Sequence, residues 1–117
     1  MAIEADLRQA LSGLFGDRIF PDVAPPDVGL PFSTYQQIGG QPLNFLAGVP
    51  DKENGRFQLN IWSDDREQAS QLMREARKIM CLHPALLATI MTGVLARYEP
   101  ETKLYGAQQD FSIWFDA

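Results

Sequence analysis

Histidine and cysteine are almost absent from this chain, which holds one of each in 117 residues, His83 and Cys81. A single cysteine excludes an internal disulfide, which fits a reducing compartment. Metal sites need several convergent ligands, and no second histidine or cysteine stands at ligand spacing. At a helix end Cys81 and His83 would point apart, so we interpret Cys81 as a core residue and His83 as a cap. We therefore expect no catalytic residues, no metal, no cofactor and no enzyme activity.

Other signatures are also missing. No apolar run approaches the roughly 20 residues that cross a bilayer, and the first residues lack the basic and apolar regions of a signal peptide, so we expect no membrane association. Gly39 and Gly40 lack the spacing and the following Lys-Ser/Thr of a phosphate loop. Ten basic against 15 acidic residues give a net charge of −5, which disfavours nucleic-acid binding. The main feature that argues the other way is a basic cluster on one face of the second predicted helix, formed by Arg74, Arg77 and Lys78.

The apolar pattern that is present predicts one domain over residues 1–117 with an α+β fold. Helical spacing predicts an amphipathic helix over 2–15 and a second one capped by Ser63 or Asp64, with Asp64 and Glu67 at capping-box spacing. Alternation predicts strands, and these fall within 18–20, 32–38, 56–63, 87–98 and 109–115. We expect two helices packed on one face of a small, mostly antiparallel four- to five-stranded sheet. The predicted contact set is Leu7, Leu11, Leu14, Leu72, Met73, Ala76 and Ile79 on Leu59, Ile61, Phe111 and Ile113.

A long connection, residues 39–55, separates two of the predicted strands. Seventeen residues is long for a compact domain, and connections of this length are often functional. Four of its residues are large and apolar although a solvated loop would favour polar ones: Leu43, Phe45, Leu46 and Val49. We expect them to fold back on the domain or to contact a partner.

Two tryptophans stand at strand positions that alternate with the aliphatic residues. Trp62 and Trp114 therefore belong on the face of the sheet opposite the helices. Large aromatic side chains on such a face often mark a protein interface. The alternative is that the 39–55 connection folds over both indoles, and the sequence leaves these two interpretations open.

Short motifs in a fixed order extend over nearly the whole chain. Taken together they resemble the tail completion proteins of tailed bacteriophages, and departures occur at Lys103, where the family has glycine, and at Gly106-Ala107, where it has basic residues. The stretch from Leu86 to Leu95 is also longer and more apolar than in the family. The matching segments are Ile19–Pro25, Leu30–Phe32, Tyr35-Gln36, Gly39-Gly40, Phe57–Trp62, Tyr98–Thr102, Leu104-Tyr105, Asp110-Phe111 and Trp114.

The resemblance implies a structural role without enzyme activity or cofactor. Proteins of this kind cap the head-proximal end of the tail tube as tail terminators, and they are similar to small α+β proteins that close into hexameric rings. The implied partners are further copies of the chain, the tail tube protein and the head–tail connector, with DNA passing through the ring without specific binding. The implied location is the virion tail, after assembly in the host cytoplasm. Two alternatives are another head–tail connector and a small module that binds a peptide or ligand.

Overall fold

The computed structural model describes residues 2–42 and 52–116 and contains two helices and six strands within those ranges. The helices are α1 (Ala2–Phe15) and α2 (Arg66–Leu82). The predicted α+β class is confirmed, and α1 occupies the predicted range. The strands are β1 (Ile19–Pro21), β2 (Phe32–Gln37), β3 (Lys52–Ser63), β4 (Thr89–Ile90), β5 (Leu95–Glu99) and β6 (Leu104–Asp116).

The six strands form one mixed sheet in the order β1-β2-β3-β6-β4, with β5 also paired to β6. β1 and β2 run parallel, and the other four pairings are antiparallel. The longest pairing joins β3 to β6, from Lys52 opposite Asp116 to Ser63 opposite Tyr105. The sheet exceeds the predicted four to five strands because the segment 87–98 contains two short strands, β4 and β5.

The break between β4 and β5 comes from a change of register along β6. Ile90 lies opposite Phe111, whereas Leu95 lies opposite Gln108. From Ile90 to Leu95 the chain advances five residues, while its partner strand β6 advances only three, from Phe111 to Gln108. The two extra residues cannot pair with β6 and bulge out of the sheet. Thr92 holds the excess in place, because its carbonyl and hydroxyl oxygens accept hydrogen bonds of 2.8 and 3.0 Å from β6.

One face of the sheet and the apolar sides of both helices form a single buried core. Alternate residues of β3 and β6 enter this core, as the two-residue period of a strand requires. Leu14, Leu72 and Ile79 lie at the margins of the helical stripes and are only partly buried. The buried members from the two long strands and the helices are Phe57, Leu59, Ile61, Ala107, Phe111, Ile113, Phe115, Ile3, Leu7, Leu11, Phe15, Ala69, Met73, Ala76 and Met80.

Helix α2 begins one residue later than the sequence suggests. Its N-cap is Asp65, whose carboxylate accepts from the Glu67 N–H at 3.1 Å. The prediction of Ser63 or Asp64 as the N-cap was wrong, and the Ser63 hydroxyl at the end of β3 instead accepts from the N–H of Asp65 itself. The helix ends as predicted before His83, whose N–H donates to the Ile79 carbonyl and which precedes a proline.

Strand β3 is four residues longer than predicted and includes Asn54 and Gly55, which the sequence placed in the 39–55 connection. Asn-Gly is a strong turn signal, but here packing overrides it. A Cβ atom on Gly55 would lie 2.6 Å from a ring carbon of Phe57. The Asn54 amide donates to the Ser112 hydroxyl at 2.8 Å. Glycine is thus needed at residue 55 for close packing and not for a turn.

Helix α1 is tied to the sheet by a polar contact at the edge of the core. The guanidinium of Arg8 donates to the hydroxyl of Tyr35, a fully buried residue of β2. Burial raises the pKa of Tyr35 above its ordinary value, and the neighbouring Arg8 opposes that rise. The contact satisfies the phenol at the place where α1 passes over β2.

Alanine substitution of two neighbouring residues in α2 should show which of them faces the core and which lies at its margin. Met73→Ala should lower the free energy of unfolding by about 2–5 kcal/mol, because Met73 has no exposed surface. Leu72→Ala should cost clearly less, because Leu72 is only partly buried. Urea denaturation of both variants measures the difference. Equal losses would contradict this orientation of α2.

Lys103 occupies a conformation that favours glycine. It lies in the turn between β5 and β6 with φ of 58°, a left-handed geometry in which a Cβ atom is unfavourable. Lys103→Gly should therefore raise the free energy of unfolding by about 0.5–1 kcal/mol, despite the greater freedom of glycine in the unfolded chain. Lys103→Ala is the matched control and should give no gain, because it keeps the Cβ. A gain of equal size from alanine would show that lysine itself, and not the backbone, is responsible.

Candidate functional interface

The face of the sheet opposite the core, called here the outer face, is polar along its middle. The amides and charged groups that line it alternate with the buried residues of β3 and β6. Its two ends carry the predicted tryptophans, Trp62 and Trp114, so their predicted placement opposite the aliphatic residues is confirmed. The polar residues between them are Arg56, Gln58, Asn60, Gln108, Asp110 and Ser112.

Trp62 lies across β6 at one end of the outer face. It pairs with Gly106, and a Cβ atom there would come within 2.7 Å of the indole ring. The ring thus covers the glycine backbone and is itself partly buried. Beside it a groove of about 470 Å³ runs over Thr34 and Asn60 and is bounded on opposite sides by Val23 and Arg97.

Trp114 occupies the other end of the outer face and is 47% exposed. A second groove, of about 490 Å³, lies beside it and is lined by the described start of the 39–55 connection, Gly40 and Gln41. The Gln41 N–H donates to the side-chain oxygen Oδ1 of Asn54 at 2.8 Å, and a Cβ on Gly40 would lie 2.0 Å from the Asn54 backbone oxygen. The connection therefore leaves the sheet beside Trp114.

The two tryptophans form separate patches. Gly106, opposite Trp62, and Trp114 are eight residues apart on β6, roughly 27 Å at the rise of an antiparallel strand. A small ligand cannot contact both. The other predicted interface residues, Leu43, Phe45, Leu46 and Val49, lie outside the described residues.

An ion pair fixes the centre of the outer face. Two guanidinium nitrogens of Arg56, Nε and Nη2, donate to Asp110 Oδ2 at 3.1 and 2.7 Å. The carboxylate side chain is only 10% exposed, while that of the arginine is 38% exposed. The pair satisfies a nearly buried charge between neighbouring strands and leaves the centre of the face close to neutral.

Cys81 and His83 both lie at the end of α2. Cys81 is half-buried, and His83 accepts a hydrogen bond from the Ala85 N–H at the end of α2. Within residues 2–42 and 52–116, no three His, Cys, Asp or Glu side chains are grouped so that they could hold a metal ion. Neither described helix has the length and apolar character of a membrane span.

A third surface was missed by the sequence interpretation. The chain from β4 through β5 forms one edge of the sheet and carries a row of exposed apolar side chains: Ile90, Met91, Val94, Leu95 and Tyr98. The unusual apolar content between Leu86 and Leu95 was the signal for it. The sequence predicted a strand within 87–98 but not its place in the sheet, and both short strands lie at the margin of the sheet.

The contact between Trp62 and Gly106 can be tested by a double-mutant cycle. Gly106→Ala should lower the free energy of unfolding by about 1–3 kcal/mol, because the methyl group displaces the indole. In a Trp62→Ala background the same change should cost nothing measurable, because the space is then empty. Urea denaturation of the four proteins gives the coupling. Equal costs in both backgrounds would contradict the contact.

Comparison with known proteins identifies the family of the chain. The sequence matches the family described as tail completion protein gp17 over residues 1–116. No curated protein shows significant similarity to the chain. Since the family match extends over nearly all residues that form the helices, the sheet and the outer face, the chain belongs to the family of phage tail completion proteins.

Proposed function

We propose that this protein is a tail terminator, which caps the head-proximal end of the tail tube, ends tube polymerisation and joins the tail to the head connector. The observation that carries the proposal is the family match over residues 1–116. A tail completion family suggests a structural protein and not an enzyme. The grooves and exposed aromatic residues described above then serve as protein contacts in the virion tail, following assembly in the host cytoplasm.

The assembly that suits this role is a homo-hexameric ring. A ring is built from head-to-tail contacts, so each subunit needs two different patches. Trp114 and Trp62 stand on separate patches, and exposed tryptophan is a frequent interface anchor. The sequence adds Leu43, Phe45, Leu46 and Val49 as candidate contacts to a neighbouring subunit or to the tube protein.

In such a ring DNA passes through without specific binding. The net charge of −5 per chain disfavours retention of a polyanion. The basic cluster of α2 is the feature that could bind DNA, since Arg74 and Lys78 are exposed and Arg77 is half-buried. Glu75 lies within the same helical stretch and lowers the local charge.

Titration with duplex DNA checks this property. At physiological salt we expect no binding at micromolar protein concentration, because too few cations are clustered to displace counterions. Arg74→Glu is the matched variant and should leave the result unchanged. Micromolar affinity that persists at physiological salt and is lost in Arg74→Glu would show instead a phosphate-binding surface on α2.

Alanine substitution of the tryptophans tests the interface. Trp114→Ala should weaken ring or tube association about 30-fold, which corresponds to a hot spot of about 2 kcal/mol, with unchanged unfolding because nearly half of the side chain is exposed. Trp62→Ala should weaken association and also lower stability, since Trp62 covers Gly106. Leu82→Ala, an exposed apolar residue at the end of α2, is the control. Unchanged association in both tryptophan variants, measured by sedimentation, would exclude the outer face as the interface.

Deletion of the gene tests the function itself. Loss of a terminator should give tails of uncontrolled length that do not join heads, because nothing stops tube growth. Tails of normal length that fail to join heads would favour the alternative, a different head–tail connector. Normal infectious particles would refute both roles. Electron microscopy of lysates, with the wild-type gene supplied in trans as control, distinguishes the three outcomes.

A further inference from the structure

A small cleft beside β5 has the chemistry of an acceptor for a carboxylate. It has a volume of about 160 Å³ and is lined by Arg66, Ala96, Arg97, Tyr98 and Tyr105. The two tyrosine rings pack with their centroids 4.9 Å apart. Two guanidinium groups and two phenols offer hydrogen-bond donors and cation–π surfaces, and no acidic side chain lines the cleft.

The arginines of this cleft are not neutralised within the described part of the chain. The ion pairs found there join Lys52 to Asp116 and Arg56 to Asp110. Arg97 donates to the neutral amide of Gln108 at 2.9 Å. The cleft therefore carries positive charge that an incoming carboxylate could balance.

The edge strand next to the cleft is poorly protected against pairing. All five residues of β5 are exposed, and Leu95 and Tyr98 expose about half of their surfaces, 56% and 50%. Edge strands of monomeric proteins commonly carry lysine, proline or inward charges that block pairing. The stretch from Thr89 to Leu95 contains no charged residue and no proline, whereas Arg97, Glu99 and Pro100 follow it. The Leu95 end of this edge is therefore open to pairing or packing.

The opposite edge of the same sheet presents a complementary feature. There the chain leaves β1 in a tight turn in which Asp22 has φ of 62° and the Val23 N–H donates to the Pro21 carbonyl at 2.7 Å. This turn presents Val23, which is 78% exposed. The nearest cation along the chain, Arg18, already donates to the Pro31 carbonyl. The turn is thus an acidic group followed by an exposed apolar one.

We infer that the Asp22-Val23 turn of one copy docks on the β5 edge of a second copy, with Asp22 at the cleft of Arg66 and Arg97 and Val23 against Tyr98, which also lines that cleft. Opposite charge and shared apolar character select this occupant. The two patches lie on opposite edges of one sheet, so the contact is head-to-tail and leaves both patches open for further copies. The inference rests on the proposed ring and adds a contact at the edges of the sheet to the Trp62 and Trp114 patches.

Charge reversal on either side should abolish the contact. The turn variant combines Asp22→Asn, which keeps the left-handed residue, with Val23→Arg. The cleft variant is Arg97→Glu. Each should weaken self-association at least about tenfold in analytical ultracentrifugation, because like charges then meet across the contact. Asp27→Asn, at another exposed aspartate with φ of 60°, and Arg74→Glu, on the exposed side of α2, are the matched controls and should assemble as wild type.

Mixing the two variants gives the decisive measurement. In a head-to-tail contact the reversed turn meets the reversed cleft and the native turn meets the native cleft, so an equimolar mixture should regain assembly that neither variant shows alone. A wild-type ring with variants that assemble normally would overturn this contact and leave the proposed function intact. Wild-type protein that remains a 13.1 kDa monomer, alone and with isolated tail tubes, would overturn both. Binding of duplex DNA that is lost in Arg97→Glu would instead assign the cleft to phosphate.

Discussion

The pairing of β3 with β6 is the constraint on which the rest of the structure depends. It runs without interruption from Lys52 opposite Asp116 to Ser63 opposite Tyr105. Because side chains alternate along a strand, one register fixes two surfaces together. A slip of β3 by one residue would place Phe57, Leu59 and Ile61 on the outer face and Trp62 in the core. The helices therefore select the register through the core, and that register places the tryptophans.

Close backbone packing supports this ladder at three glycines. Gly55 admits the rings of Phe57 and Phe115, Gly106 lies under Trp62, and Gly40 passes the backbone of Asn54. A side chain at any of them would collide with an aromatic ring or with the main chain. Gly40 and Gly55 make their contacts at the Trp114 end of the ladder and Gly106 at the Trp62 end, so close backbone packing holds both ends of the β3–β6 pair.

The regular parts of the fold could be predicted from the sequence, and the exceptions have physical reasons. The range of α1 and the facing of Trp62 follow from apolar periods of 3.6 and two residues. The Asn54-Gly55 pair suggested a turn, but it lies inside β3. A local Asn-Gly pattern looks the same whether the glycine is needed for a positive φ or for the space that a missing side chain leaves. β4 has only two residues, too few for a period to appear. Which strand lies at the edge depends on long-range pairing, which no local pattern contains.

That last limit matters most for function, because the edges differ in a way that only the paired sheet reveals. One edge ends in the three-residue β1, where Pro21 lacks an N–H and the chain turns sharply at Asp22. The other edge is the exposed β5, flanked by apolar side chains. A subunit with two unlike edges cannot satisfy both by one two-fold contact, whereas head-to-tail association uses each edge once. The asymmetry of the sheet is thus compatible with head-to-tail association, the kind of contact that the proposed ring would need.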